Sequence, residues 1–210
     1  MGDWLHHRLP RIWSTRNAVA CLLLPLSLLY GFFSCARLLS YRWGFKKRRR
    51  LPVPVVVVGN VVAGGAGKTP VTMAIVAHLQ AQGWHPGVIS RGHGRRTHDT
   101  RPVDNDSHPA DVGDEPLLIR QKTHVPVWVA RLRADAGTAL LQAHPETDIL
   151  VCDDGLQHWA LARDVDICVM DDRGIGNGWL LPAGPLREPW PKSVDFLLHT
   201  GGNQIPGGFQ

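Results

Sequence analysis

With 210 residues, 44% of them hydrophobic and 20% charged, the chain can hold one medium domain with a sizeable core, or one domain and an appendage, and it is neither disordered nor fibrous. Its formal charge of +5 is unevenly placed: residues 1–50 carry ten Lys/Arg and one Asp, a net +9, so residues 51–210 carry −4. That balance argues against a nucleic-acid surface on the globular part, and the four cysteines (Cys21, Cys35, Cys152, Cys168), with neither metal-ligand spacing nor a small secreted framework, point to a reducing compartment.

Residues 1–16 mix Trp4, Leu5, Leu9, Ile12 and Trp13 with Arg8, Arg11 and Arg16, the pattern of a short amphipathic helix at a membrane–water interface. From Ala18 to Ala36 no charge occurs for roughly 19 residues, about the length a bilayer core requires. Pro25, Ser27 and Gly31 interrupt this run, so a bent helix dipping into one leaflet stands beside a full span. A cleaved signal peptide fits poorly, because aromatic and basic residues follow where small ones belong. Arg37, Arg42 and the block Lys46–Arg50 favour the cytoplasmic leaflet. Residues 1–50 are therefore expected to be a membrane-associated helix with a basic flank, residues 51–200 a nucleotide-binding domain, and residues 201–210 a frayed tail.

Val55–Val58 reads as a strand buried on both faces, as in parallel sheets. A glycine loop and a helical stretch near residues 69–82 follow. Strand, loop and helix with Gly67-Lys68-Thr69 form the layout of a phosphate-binding loop, so Val62, Ala63, Gly64, Gly65, Ala66, Gly67, Lys68 and Thr69 are expected to bind nucleotide. Lys68 supplies a point charge and Thr69 a hydroxyl for Mg²⁺. The usual spacing asks for glycine at Val62; Gly64 and Gly65 are the candidates for its turning role. A glycine-rich turn before an ordinary helix is the bland alternative.

Further strands are predicted at Gly87–Ser90, Val125–Ala130, Asp148–Cys152, Val165–Met170 and Asp195–His199, with a helix at 131–143. This alternation makes the domain α/β, a phosphate-loop NTPase-like fold with a mostly parallel sheet and helices on both faces. Arg91-Gly-His-Gly-Arg-Arg96 is either an anion-holding loop or a solvated basic turn, and residues 97–112 are a polar surface loop. Asp114, before Glu115 and Pro116, is a natural N-cap; by its chemistry a carboxylate at this junction can also accept a hydroxyl proton. Asp153 and Asp154 end a strand, where Mg²⁺–nucleotide chemistry needs oxygen ligands; an Asp-Gly turn is the alternative. Gly174–Pro189, rich in Gly and Pro, is the kind of long loop that is more often functional than idle, and its Arg187 can pair with phosphate oxygens.

Taken in order, Gly59-Asn60 with Gly64–Pro70, Ser90–Arg95, Gly113–Pro116, Asp153–His158 and Gly176–Pro189 resemble the tetraacyldisaccharide 4′-kinase family, the lipid A 4′-kinases of Gram-negative bacteria. The resemblance implies transfer of the ATP γ-phosphate to the 4′-hydroxyl of a lipid A disaccharide 1-phosphate at the cytoplasmic face of the inner membrane, with ATP and Mg²⁺ as cofactors and membrane lipids as partners. By this resemblance Lys68 and Thr69 are the loop lysine and threonine, and Asp114 with Glu115 holds the catalytic base. Asp153 and Asp154 stand near the metal, Arg187 is the late-loop arginine, and the family loop places no glycine at the position of Val62. Arg91, Gln157, His158 and Asn177 are candidate substrate contacts within the matched blocks. The match covers roughly residues 53–190, the N-terminal portion of the family, whose C-terminal lobe has no counterpart in these 210 residues.

A membrane-attached partitioning-type ATPase switch is the rival from another class. It expects a lysine just before the glycine pair, where this chain has Ala63; a GTPase would expect Asn-Lys-x-Asp, which does not occur.

Overall fold

The computed structural model describes residues 12–201. Valine dominates the centre of the sheet because strands covered on both sides need side chains that fit a pleated, dry surface. The strands are β1 (Val55–Gly59), β2 (Pro86–Ser90), β3 (Arg101–Pro102), β4 (Val127–Val129), β5 (Ile149–Asp153), β6 (Val165–Met170) and β7 (Phe196–His199), in the order β3-β4-β2-β5-β1-β6-β7. All neighbours are parallel except β3 and β4. Along β1, Val55 and Val57 face one core with Leu140 and Leu150, while Val58 faces the other with Val76, Leu117 and Ile119. Each fully buried valine contributes about 1.5–3 kcal/mol.

Helices cover both faces. After α1 (Ala18–Leu22) and α2 (Leu24–Arg42) come α3 (Lys68–Ala81), α4 (Pro109–Val112), α5 (Asp114–Thr123) and α6 (Arg133–Ala143). Through Val76, Leu117 and Ile119, α3 and α5 pack on one side of the sheet; α6 packs on the other through Ala136 and Leu140. The mostly parallel α/β architecture is the one expected. The polar stretch at 97–112, expected to be loop throughout, instead contains β3 and α4, both too short to leave a periodic signal.

The N-terminal arm departs from expectation. The uncharged run is broken at Leu23 into α1 and α2, with Asn17 Oδ1 accepting from Ala20 N and Pro25 in the first turn of α2. Among the described residues no helix is long and apolar enough to cross a membrane, so of the two expected placements the full span is not supported; Arg37 and Arg42 lie inside α2 itself. The arm is also turned inside out. Ala20 and Ser27 are its buried residues, while Leu22, Leu26, Leu29, Phe32 and Phe33 are exposed. The expected amphipathic segment at residues 1–16 falls mostly on residues 1–11, outside the described residues.

The basic block is largely engaged with the domain. Arg49 pairs with Asp135, Arg50 with Asp164, and Arg48 lies 5.9 Å from the ring centre of Trp159, which Arg163 and Lys192 also approach. Each exposed pair contributes at most about 1 kcal/mol, but together with Arg49 N donating to Ala160 O they strap the arm to the domain.

Candidate active site

In open parallel sheets ligands bind at the C-terminal ends of the strands, where the chain order reverses about the first strand. Here β1 stands between β5 and β6. The loop leaving β1 is shaped by distant chain. Arg187 N donates to Val61 O (2.7 Å), Ala63 N donates to Pro185 O (2.8 Å), and Val62 bridges antiparallel to Leu186. No glycine is needed at Val62, since its backbone is paired rather than turning. The turning falls to Gly64 (φ 102°) and Gly67 (φ 71°), both in the left-handed region that favours glycine, and not to Gly65. Asn60 is fully buried; its side-chain Nδ2 donates to Gly64 O and its backbone carbonyl accepts from Gln157 Nε2 at 2.9 Å.

Two loop carbonyls are held from outside, Gly65 O by the Arg173 guanidinium and Ala66 O by Thr200 Oγ1. Among the described residues, none accepts from the N–H groups of Gly64 through Thr69. The result is a row of unpaired donors at the start of α3, where the helix dipole favours an anion. Lys68 opens that helix with its side chain only 8% exposed, and its Nζ lies 3.6 Å from Asp154 Oδ1. Thr69, half-buried, follows it.

The two aspartates have separate environments. Asp153, the last residue of β5, is completely buried and accepts from Thr72 Oγ1 at 2.9 Å, while its Oδ2 has no partner. Burial, then the charge of Glu115, pushes its carboxyl up to about 6. Asp154 sits at φ 49°, a left-handed conformation that turns its carboxylate toward cations. Besides Lys68 it meets Arg187 Nη1 at 3.4 and 3.5 Å, and its carbonyl accepts from Arg133 Nη2 at 3.0 Å.

Gly113 (φ 94°), not Asp114, is the N-cap of α5, and Asp114 and Glu115 are its exposed first two residues. Glycine is required at the cap because a Cβ would come within 3.0 Å of Gly92 Cα, where the basic loop crosses. That loop lines a cavity of about 400 Å³ with Arg91, His93, Arg95, His98 and Arg131. Arg95 Nη1 is buried there without a partner, and burial lowers the Arg95 pKa.

Of the other candidates, Gln157 and Asn177 have their amides engaged by the backbone: Gln157 on Asn60, and Asn177 between Ala183 O (2.9 Å) and Trp179 N (3.0 Å). His158 is largely buried with Nε2 unpartnered, and burial with the charges of Arg133 and Arg163 pushes its pKa down to about 4. Sequence reasoning passed over Thr72 and Arg133. The second left a signal, because a cation at the first position of a helix opposes the dipole unless something anionic is near.

Gly155 locks the acidic corner. A Cβ there would lie 2.5 Å from Cys152 Sγ and 2.9 Å from Val57 Cγ1. Gly155→Ala is therefore expected to cost about 1–3 kcal/mol by overpacking, read as a lower urea midpoint with unchanged slope.

The family model for Tetraacyldisaccharide-1-P 4'-kinase matches residues 19–208. A tetraacyldisaccharide 4'-kinase of Acidovorax sp. (strain JS42) is 64% identical over 204 residues, covering 97% of this chain and 60% of that protein. One from Delftia acidovorans is 56% identical over 189 residues, covering 90% and 56%. Among solved structures, LpxK from Aquifex aeolicus in complex with ATP aligns with a TM-score of 0.75 at 35% identity, over 81% of this chain and 55% of that one. The chain thus spans about 60% or less of the length of these relatives. With the phosphate loop, the acidic strand end and the late loop all falling inside the matched residues, the chain belongs to the tetraacyldisaccharide-1-P 4'-kinase family.

Proposed function

We propose that the chain carries the ATP-binding and acceptor-activating half of a kinase that phosphorylates the 4′-hydroxyl of a tetraacyldisaccharide 1-phosphate. The observation that carries this reading is the convergence of Lys68, Asp153, Asp154 and Arg187 beside a row of free loop donors, with Glu115 close enough to shift Asp153. That the Aquifex aeolicus relative was solved in complex with ATP supports ATP as the nucleotide held here. Loop N–H groups and Lys68 spread the negative charge that builds on the γ-phosphoryl group. Asp114 accepts the proton of the attacking hydroxyl as the new P–O bond forms and the bond to the β-phosphate oxygen breaks. The basic cavity beside Gly113 suits the anionic end of the acceptor.

Mg²⁺ fits the residues present. Among the described residues no three His, Cys, Asp or Glu side chains gather as a closed metal cage, and Mg²⁺ characteristically takes one or two carboxylates and completes its shell with phosphate and water oxygens. Asp153, whose buried Oδ2 lacks a partner, Asp154 and Thr69 would hold it, and it would supply positive charge to offset that of the triphosphate. The deciding assay is transfer of radiolabelled γ-phosphate to a tetraacyldisaccharide 1-phosphate. Label found only as free phosphate would overturn the kinase reading in favour of a hydrolysing switch.

We further propose that the exposed apolar side of α1 and α2 rests on the cytoplasmic face of the inner membrane, where an acceptor with four acyl chains resides. Moving such a lipid into water would cost about 0.8 kcal/mol per methylene, so the enzyme works at the surface. Leu29→Glu with Phe32→Glu is expected to weaken co-flotation with anionic vesicles by roughly tenfold or more, and unchanged flotation would refute the placement.

A further inference from the structure

The late loop, residues 171–191, has no helix or strand beyond isolated bridges, yet it is pinned from two sides. The arm holds it through Ser27 Oγ donating to Leu180 O (2.7 Å), Trp13 Nε1 donating to Pro182 O (3.0 Å) and Tyr30 Oη donating to Arg187 O (2.8 Å). Gly31 lets α2 approach so closely that a Cβ would lie 2.9 Å from Leu180 Cδ1. From the other side the loop grips the phosphate loop, through Arg187 N on Val61 O, Pro185 O on Ala63 N and Arg173 on Gly65 O.

Both sets of contacts meet at Arg187. Its N–H and its carbonyl are each fixed, one by the phosphate loop and one by Tyr30, while its guanidinium stands 3.4 and 3.5 Å from the Asp154 carboxylate oxygens. Those distances sit at the edge of hydrogen-bond range, so a small shift of the backbone decides whether the guanidinium faces Asp154 or an incoming phosphate. We propose that Tyr30 is a positioning residue for phosphoryl transfer: by holding the Arg187 carbonyl it sets where the Arg187 guanidinium stands, and so makes the apolar arm part of the frame of the reaction centre. Partial burial and the charge of Glu188 raise the Tyr30 phenol pKa, which favours its protonated, donating form. The kinetic part of this proposal rests on the kinase reading; the positional part does not.

Two readouts separate them. In the ¹⁵N spectrum of the chain, the Arg187 side-chain resonance is identified as the one lost in Arg187→Lys. It is expected to shift and to exchange faster with water in Tyr30→Phe, and to stay in place in Tyr41→Phe, whose ring packs with Lys46. An unmoved resonance in Tyr30→Phe overturns the proposal, whether or not the chain transfers phosphate. In the transfer assay, Tyr30→Phe is expected to lower kcat about tenfold with KM for ATP and vesicle flotation unchanged, and to lower it little further on an Arg187→Lys background. Losses that multiply in the double variant, or a kcat loss that tracks lost flotation, overturn it. A shifted resonance in a chain that releases its label only as free phosphate supports the positional coupling and refutes the kinase reading.

Discussion

Replacing Asp114 by alanine is expected to reduce phosphoryl transfer by about 10³-fold while leaving ATP affinity within a few-fold. The magnitude is that of losing a positioned general base. The selectivity follows from geometry: the proposed nucleotide cradle is made by the loop after β1 and by Lys68, whereas Asp114 opens α5 with an exposed carboxylate that, among the described residues, makes no hydrogen bond or ion pair to that loop. Removing one negative charge from the first turn of a helix costs only about 0.5 kcal/mol, so the folded chain persists and the loss is one of chemistry. Label transfer and equilibrium nucleotide binding, measured on the same preparation, check it. A comparable fall in ATP binding would assign Asp114 to the nucleotide site and remove the base from the mechanism.

The second large effect concerns pH. Between about pH 4 and 6.5 two buried groups pull stability in opposite directions. The Asp153 carboxyl is raised from 3.8 to about 6, so its folded form binds the proton more tightly than the unfolded form. It therefore favours folding increasingly as pH falls from 6 toward 3.8, and its penalty is complete above 6. The His158 imidazole is lowered from 6.5 to about 4. It must stay neutral to fold, so its contribution is intact above 6.5 and is lost as pH falls to 4. Each effect is on the order of 2 kcal/mol, with that of His158 reduced by its partial exposure. Asp153→Asn keeps an acceptor for Thr72 and removes the first effect, leaving a chain that loses stability in acid relative to wild type. His158→Gln does the reverse. Because each variant is read against wild type, the surface carboxylates cancel. Urea midpoints at pH 4, 5 and 6.5 test both, and profiles parallel to wild type would refute the burial argument.

How much of this was legible in the residues depended on how local each feature is. The valine strand, the glycine loop with Lys68, and the acidic end of β5 are written in consecutive residues, and the structure brings Lys68 and Asp154 to 3.6 Å. The cap of α5 was displaced by one residue, because the close approach of Gly92 to Gly113 is a tertiary contact that no local pattern announces. The break at Leu23 had only Pro25 as a hint, and the apolar run outweighed it. Thr72 was invisible for a different reason: it lies inside a helical pattern, and only the folding of β5 beside α3 gives its hydroxyl a carboxylate to meet. Arg173 and Tyr30 are more than 100 residues from the groups they hold, and neither sits in a motif of its own.

The pairing of Val62 with Leu186 and of Asn60 with Gln157 has a temporal side. A nascent chain emerging from the ribosome has made β1 and α3 long before it has made residue 186, so its glycine segment must wait for the last fifth of these residues before it acquires a binding-ready shape. Nucleotide capture then follows the making of the late loop, and a truncation ending before that loop is expected to retain strands but to have no grip on a triphosphate.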